Sequence, residues 1–115
     1  MKRTFSIACA AALFAASTTF ALSAEPIEGT WKTQSGENAK ISKCGSSFCI
    51  KLTTGQYTGK QIGKLKGSGA EYKGTVTDPE DDREYSGNAK VSGKSMKLQG
   101  CALRVFCQTQ TWKKL

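Results

Sequence analysis

Between Ala70 and Val91, apolar and polar residues alternate with period two on either side of an acidic cluster. Ala70, Tyr72, Gly74 and Val76 fall on one face, and Glu71, Lys73, Thr75 and Thr77 on the other. Past Asp78-Pro79-Glu80-Asp81-Asp82, residues Tyr85, Gly87, Ala89 and Val91 share a face against Glu84, Ser86, Asn88 and Lys90. Successive side chains of a strand point to opposite faces, so this pattern predicts two half-buried antiparallel strands. Pro79 among the acids marks the turn between them.

The same period, in shorter runs, predicts further strands on both sides of this hairpin. Gly29 to Thr33 reads as the first, with Trp31 inward, after a short leader from Glu25 to Glu28. Gln34 to Glu37 turns, and Asn38 to Lys43 follows with Ala39 and Ile41 inward. After a turn at Cys44-Gly45-Ser46-Ser47, residues Phe48, Ile50 and Leu52 line one face of a third strand. Thr53 to Ser68 is rich in Gly and Lys and reads as a long loop with one short strand near Gln61 to Lys64. Beyond the hairpin, Ser92-Gly93-Lys94 is a tight turn with Gly where positive φ is wanted. Ser95 to Gly100 then carries Met96 and Leu98 inward, Cys101 to Phe106 turns, and Cys107 to Lys114 ends the chain with Trp112. No stretch has helical periodicity. Strands every eight to twelve residues predict an all-β sandwich or small barrel.

The chain has 115 residues, enough for one domain. Lys2 and Arg3, an apolar run from Ile7 to Ala16, and small residues ending in Ala21-Leu22-Ser23-Ala24 have the form of a secretory signal over residues 1–24. Ser17-Thr18-Thr19 interrupts the run before it reaches the length of a membrane anchor. Cleavage fits after Ala24, with Ala21 the alternative, and no transmembrane segment then remains in residues 25–115. The expected location is periplasmic or secreted. The formal charge of +8 includes Lys2 and Arg3, so the mature chain carries +6.

Four cysteines remain after cleavage, Cys44, Cys49, Cys101 and Cys107. An even number in a small exported domain implies two disulfides, and a thin core gives them weight in stability. Each of Cys44/Cys49 and Cys101/Cys107 flanks a short turn between adjacent strands, which favours local bridges over ones joining the two turns. Neither pair has the C-x-x-C spacing of redox centres, so both read as structural.

The order Gly29-x-Trp31, Cys44-Gly45-x-x-x-Cys49, Gly74-x-x-x-Asp78-Pro79 with Tyr85, and Gln110-Thr111-Trp112 resembles the bacterial exported family known as domain of unknown function 2147 (DUF2147). The resemblance covers nearly all of the mature chain, and the stretch from Gly74 to Tyr85 and the closing Thr109-Gln110-Thr111-Trp112 carry most of it. It implies a lipocalin-like, up-and-down antiparallel barrel, and it implies no established activity. Gly29-x-Trp31 is also similar to the lipocalin opening. The chain departs from the family in three places. Asp82 stands where the family tends to have Gly, and Asp adopts left-handed geometry less readily than Gly does. Lys114 stands where an Arg often follows the last Trp; it can cover an aromatic ring but offers no planar fork. Thr53 to Ser68 is shorter than usual, which bears on any site built from that loop.

Candidate chemistry is sparse. The chain has no histidine, so the commonest general base and zinc ligand are missing. Asp78, Glu80, Asp81, Asp82 and Glu84 lack the D-x-D-x-D-G spacing of a calcium loop, and they lie on one turn rather than across a cleft as glycoside hydrolysis requires. They read as a solvated turn, and a hydrolase built on them is set aside. Trp31, Trp112, Tyr72 and Tyr85 read first as barrel filling and second as the lining of a ligand pocket. Most lysines fall at the polar positions of strands. Lys60, Lys64 and Lys66 cluster in the least regular stretch and are the candidate site for an anionic surface. The expected partners are therefore anionic envelope lipid, polysaccharide or a small apolar ligand. Nucleic acid is not expected, because no stacking aromatics interleave with the basic residues. No catalytic residue, cofactor or metal ligand is assigned. The leading reading is a non-catalytic binding protein of the cell envelope; the rival is a purely structural or stress-protective envelope protein without a ligand. An apolar cavity of a few hundred Å3 favours the first and a filled interior the second.

Overall fold

Each run of alternation becomes a strand of one closed sheet. The computed structural model describes residues 24–103 and 106–115, so the leader reading, apart from Ala24, lies outside the described residues. Eight strands follow one another: β1 (Gly29–Lys32), β2 (Asn38–Cys44), β3 (Ser47–Leu52), β4 (Gln61–Ser68), β5 (Glu71–Asp78), β6 (Arg83–Ser92), β7 (Ser95–Ala102) and β8 (Phe106–Lys114). Every strand pairs antiparallel with its sequence neighbours, and β8 returns to β1 to close an up-and-down barrel. Closure pairs both sides of every strand except β8, whose first seven residues face no strand across the short β1 seam.

The inward residues of the alternating runs meet as a single core. Trp31, Ala39, Ile41, Phe48, Ile50, Leu65, Tyr72, Ala89, Met96 and Trp112 are all buried in it. Phe48 and Tyr72 pack edge to face with ring centroids 5.5 Å apart, the arrangement aromatic quadrupoles favour. The outward residues are mostly Lys, Ser, Thr, Asn, Gln and Glu, a polar wall unlike the apolar band that a membrane-spanning barrel turns to lipid.

Three expectations are corrected. The strand expected near Gln61 to Lys64 runs on to Ser68, and the loop shrinks to Thr53–Lys60. Here β3 and β4 slip register between Ile50 and Lys51, so Ile62 is the unpaired extra residue, and both it and Gly63 are buried. A bulge breaks strict alternation, and Gly63 and Gly67 add no apolar mark of their own. At the other end, the turn expected over Cys101 to Phe106 is shorter, because Cys101↔Cys107 and Ala102↔Phe106 are still register partners. Finally, Glu25 to Glu28 is more than a leader: Ile27 has 0% exposure and belongs to the core.

Glycine recurs in one row across three adjacent strands. Gly74, Gly87 and Gly100 are consecutive register partners on β5, β6 and β7. A methyl on Gly74 would run into the Lys64 carbonyl oxygen and come within 2.9 Å of the Leu65 Cα. That position therefore requires glycine for the close approach of β5 to β4. The seam between β1 and β8 is the shortest pairing, with only Trp31↔Lys114 and Lys32↔Lys113 in register. It is reinforced by the Leu115 amide donating to the Thr30 carbonyl at 2.9 Å and the Thr111 amide donating to Gln34 Oε1 at 2.9 Å.

Candidate functional site

The two ends of the barrel differ. At the end where β1 begins, residues 25–28 cross the opening and plug it. The Trp31 indole N–H donates to the Ile27 carbonyl at 2.9 Å, which holds the plug over the ring. Lys114 Nζ donates to the Pro26 carbonyl at 2.9 Å and lies 5.4 Å from the Trp31 ring centroid. The lysine that replaces the family's arginine thus covers the aromatic ring, as its chemistry allows. Glu25 completes the closure, accepting from the Gly69 amide at 2.9 Å and lying 3.5 Å from the Tyr72 hydroxyl. That hydroxyl donates to the Gly69 carbonyl at 2.8 Å. Burial raises the Tyr72 pKa above its ordinary 10.0, and the Glu25 carboxylate adds to the rise.

The opposite end is open. A cleft of about 1060 Å3 enters between the β1–β2, β3–β4, β5–β6 and β7–β8 connections. Its floor is hydrocarbon and aromatic: Leu52, Ile62, Val76 and Leu98, with Tyr57, Tyr85 and Trp112. Its rim mixes carboxylates, Glu37, Asp78 and Glu80, with Arg83 and with Gln108 and Gln110. Gly100 lines it, whereas its register neighbours Gly87 and Gly74 do not. Leu103 and Phe106 stand on the lip at 83% and 69% exposure, two of the three large exposed hydrophobics among the described residues. Trp112 Nε1 donates to Gln110 Oε1 at 2.9 Å, which satisfies the one polar atom of the indole beside the cleft.

The aromatics divide between the two ends. Trp31 and Tyr72 serve the plugged end, while Tyr85 is half-buried in the open one and Trp112 reaches it from the core. The acidic turn belongs to the open rim, and two of its carboxylates are committed to its own backbone. Asp78 Oδ1 accepts from the Glu80 amide at 2.9 Å and Asp81 Oδ1 from the Arg83 amide at 3.0 Å. Asp82 adopts φ 59°, the left-handed geometry expected of a residue standing in for glycine.

The lysine trio separates. Lys60 pairs with Asp82 beside the open end. Lys64 and Lys66 lie farther along the outer face of β4, where with Lys73 they border a shallow hollow of about 470 Å3 next to the Cys44 turn. The bridges are Cys44–Cys49 and Cys101–Cys107, with Cα atoms 5.8 and 4.0 Å apart, each stapling one hairpin as the turn geometry predicts. Of the four aromatics read as a possible pocket lining, Tyr85 and Trp112 line the cleft; the rest of its lining comes from six strands and four connections, which no single stretch of sequence displays.

The sequence model of a family described as an uncharacterized protein conserved in bacteria, DUF2147, matches residues 52–114. The chain belongs to DUF2147. The match takes in β4 to β8, with the Gly74-to-Tyr85 hairpin and the closing Thr109-Gln110-Thr111-Trp112, while Gly29-x-Trp31 and the Cys44–Cys49 bridge precede it. Most of the cleft lining therefore lies on the DUF2147 segment, and most of the plug lies outside it. No curated protein and no solved structure matches the chain.

Proposed function

We propose that this DUF2147 protein is a non-catalytic binding protein of the cell envelope that takes a small amphiphilic molecule into the open end of its barrel. One observation carries the reading: the barrel is plugged at one end and open at the other onto a cleft of about 1060 Å3 with an apolar floor and a polar rim. Volumes of roughly 300–1,000 Å3 are usual for small-molecule sites, which combine hydrophobic lining with a few placed polar groups. The floor suits a hydrocarbon or ring, and the rim suits a polar head. Leu103 and Phe106 on the lip offer the entering apolar part its first contact. Location in the envelope is supported by the secretory form of residues 1–24 and by the two disulfides, which persist in oxidising compartments. The non-catalytic part is supported by the residues themselves. There is no histidine to act as base, the four described cysteines are bridged, and Asp78 and Asp81 are occupied by backbone amides.

Two measurements test it together. Native mass spectrometry of protein isolated from the periplasm should show a co-purifying small molecule. The neutral probe N-phenylnaphthylamine should brighten on the wild-type protein and fail to do so on Leu98→Trp, which fills the cleft floor. Uptake of the probe equally by both, or by neither together with an empty mass spectrum, would leave the ligand-free structural reading.

A further inference from the structure

The outer wall carries a closed girdle of lysines. Strand register sets Lys66 opposite Lys73, Lys90 opposite Lys97, Lys113 opposite Lys32, and Lys40 opposite Lys51. All eight are exposed. Direct partners have Cβ atoms about 5 Å apart. Three diagonal steps link the pairs at roughly 7–8 Å, Lys73 to Lys90, Lys97 to Lys113 and Lys32 to Lys40, and the step from Lys51 to Lys64 crosses the β3–β4 bulge. Lys64 is two residues from Lys66 on β4, so the circuit closes where it began, with a lysine on each of the eight strands. By register, Glu71 is the one carboxylate set directly opposite a girdle lysine, Lys90. Neither salt bridge among the described residues involves a girdle lysine.

Like charges placed directly opposite destabilise a sheet. Four such pairs in one small barrel oppose its folding and leave the charge undischarged within the chain. We infer that the girdle is a binding surface for a linear polyanion of the acidic-polysaccharide class. The shape decides between anionic partners. A planar lipid surface touches one side of a cylinder and reaches a fraction of the ring, whereas a flexible chain can follow the ring or meet it from any side. The basic groups are all lysine, compact point charges without the planar fork that fixes one geometry, which fits a repeating carboxylate chain held loosely. This surface lies on the outer wall and is separate from the open cleft.

The test uses fluorescein-labelled polygalacturonate and, in parallel, vesicles of phosphatidylglycerol, with the disulfide-intact protein. Polygalacturonate should bind at low salt. With about four lysines engaged, raising salt from about 50 to about 150 mM should weaken binding roughly twenty-fold, taking the single-strand slope of about 0.7 per contact. Four double variants, K66Q/K73Q, K90Q/K97Q, K32Q/K113Q and K40Q/K51Q, should each lose a similar factor, roughly three- to tenfold, since each removes an equivalent part of the ring. Lys60→Gln, off the girdle, should lose less than any of them. The doubles should melt no lower than wild type, because a repulsion has been removed, so lost binding cannot be assigned to unfolding. Loss confined to one double variant means a one-sided patch and overturns the girdle. Tighter binding to phosphatidylglycerol vesicles than to polygalacturonate makes the partner a membrane and overturns the polysaccharide assignment. No binding to polygalacturonate at low salt overturns it as well.

Discussion

Ile27→Ala separates a plug from a leader. Ile27 has 0% exposure, and its carbonyl holds the Trp31 indole, so its side chain is pinned in the core at the closed end. Truncating a buried Ile to Ala removes transfer free energy and leaves a cavity, together costing about 2–5 kcal/mol. A value of about 3 kcal/mol fits a site at the barrel's end, where the chain can relax partly into the gap. For a domain of this size each kcal/mol moves Tm by about 4–8 °C, so a fall of about 12–24 °C is expected. Ile27→Val should cost only about 1 kcal/mol. The assay is thermal unfolding followed by circular dichroism on oxidised protein, with the emission maximum of Trp31 and Trp112 recorded before heating. A red shift in the variant would report water entering above Trp31. If Ile27→Ala melts within about 2 °C of wild type, on the same scale of about 4–8 °C per kcal/mol, the plug contributes nothing and the closed end is not closed.

Gly74→Ala should destabilise by about 1–3 kcal/mol, as overpacking does, because its methyl meets the β4 backbone. Gly100→Ala, whose nearest neighbour would be Val76 Cγ2 at 3.2 Å, should be milder, and urea titration of the pair checks the ranking. The raised pKa of Tyr72 means that the unfolded chain loses its proton first as pH rises. The corresponding stabilisation is present below pH 10.0 and is lost as pH climbs through the folded value. Tyr72→Phe should therefore flatten part of the alkaline fall in Tm. Replacing Cys101 and Cys107 together with Ser should cost about 2 kcal/mol, the chain-entropy value for so short a loop, with the strands still paired by hydrogen–deuterium exchange.

The parts of the fold that could be read from sequence are those whose residues alternate without interruption. The β5–β6 hairpin is legible because Tyr72, Val76, Tyr85, Ala89 and Val91 fall strictly on one face. Both disulfides are legible because each pair brackets one turn. Strand β4 was half-hidden, since its bulge places Ile62 and Gly63 inward in succession and glycine carries no hydropathic mark. Ile27 was missed because a lone apolar residue after Pro26 has no period to belong to. The site suffered more. Lys60, Lys64 and Lys66 are close in sequence, yet the fold sends Lys60 to Asp82 and the other two to the outer wall. Conversely, Lys32 and Lys113 are register partners. Proximity of that kind depends on pairing across strands, which the one-dimensional pattern leaves open.

The short β1–β8 seam sets how this molecule can be assembled and taken apart. Seven of the eight strand pairings join neighbours in sequence, and those contacts need only local loops to close. The eighth joins the two ends of the described barrel through two register pairs, and neither disulfide crosses it. Of the eight pairings it therefore closes the longest loop, and loop-closure entropy grows with loop length. Thr30 and Leu115 are hydrogen-bonded neighbours. A short linker could therefore fuse residue 115 to residue 25, with new termini opened at the Gly93 turn. Such a circular permutant would keep every strand contact while turning the most sequence-distant pairing into a local one.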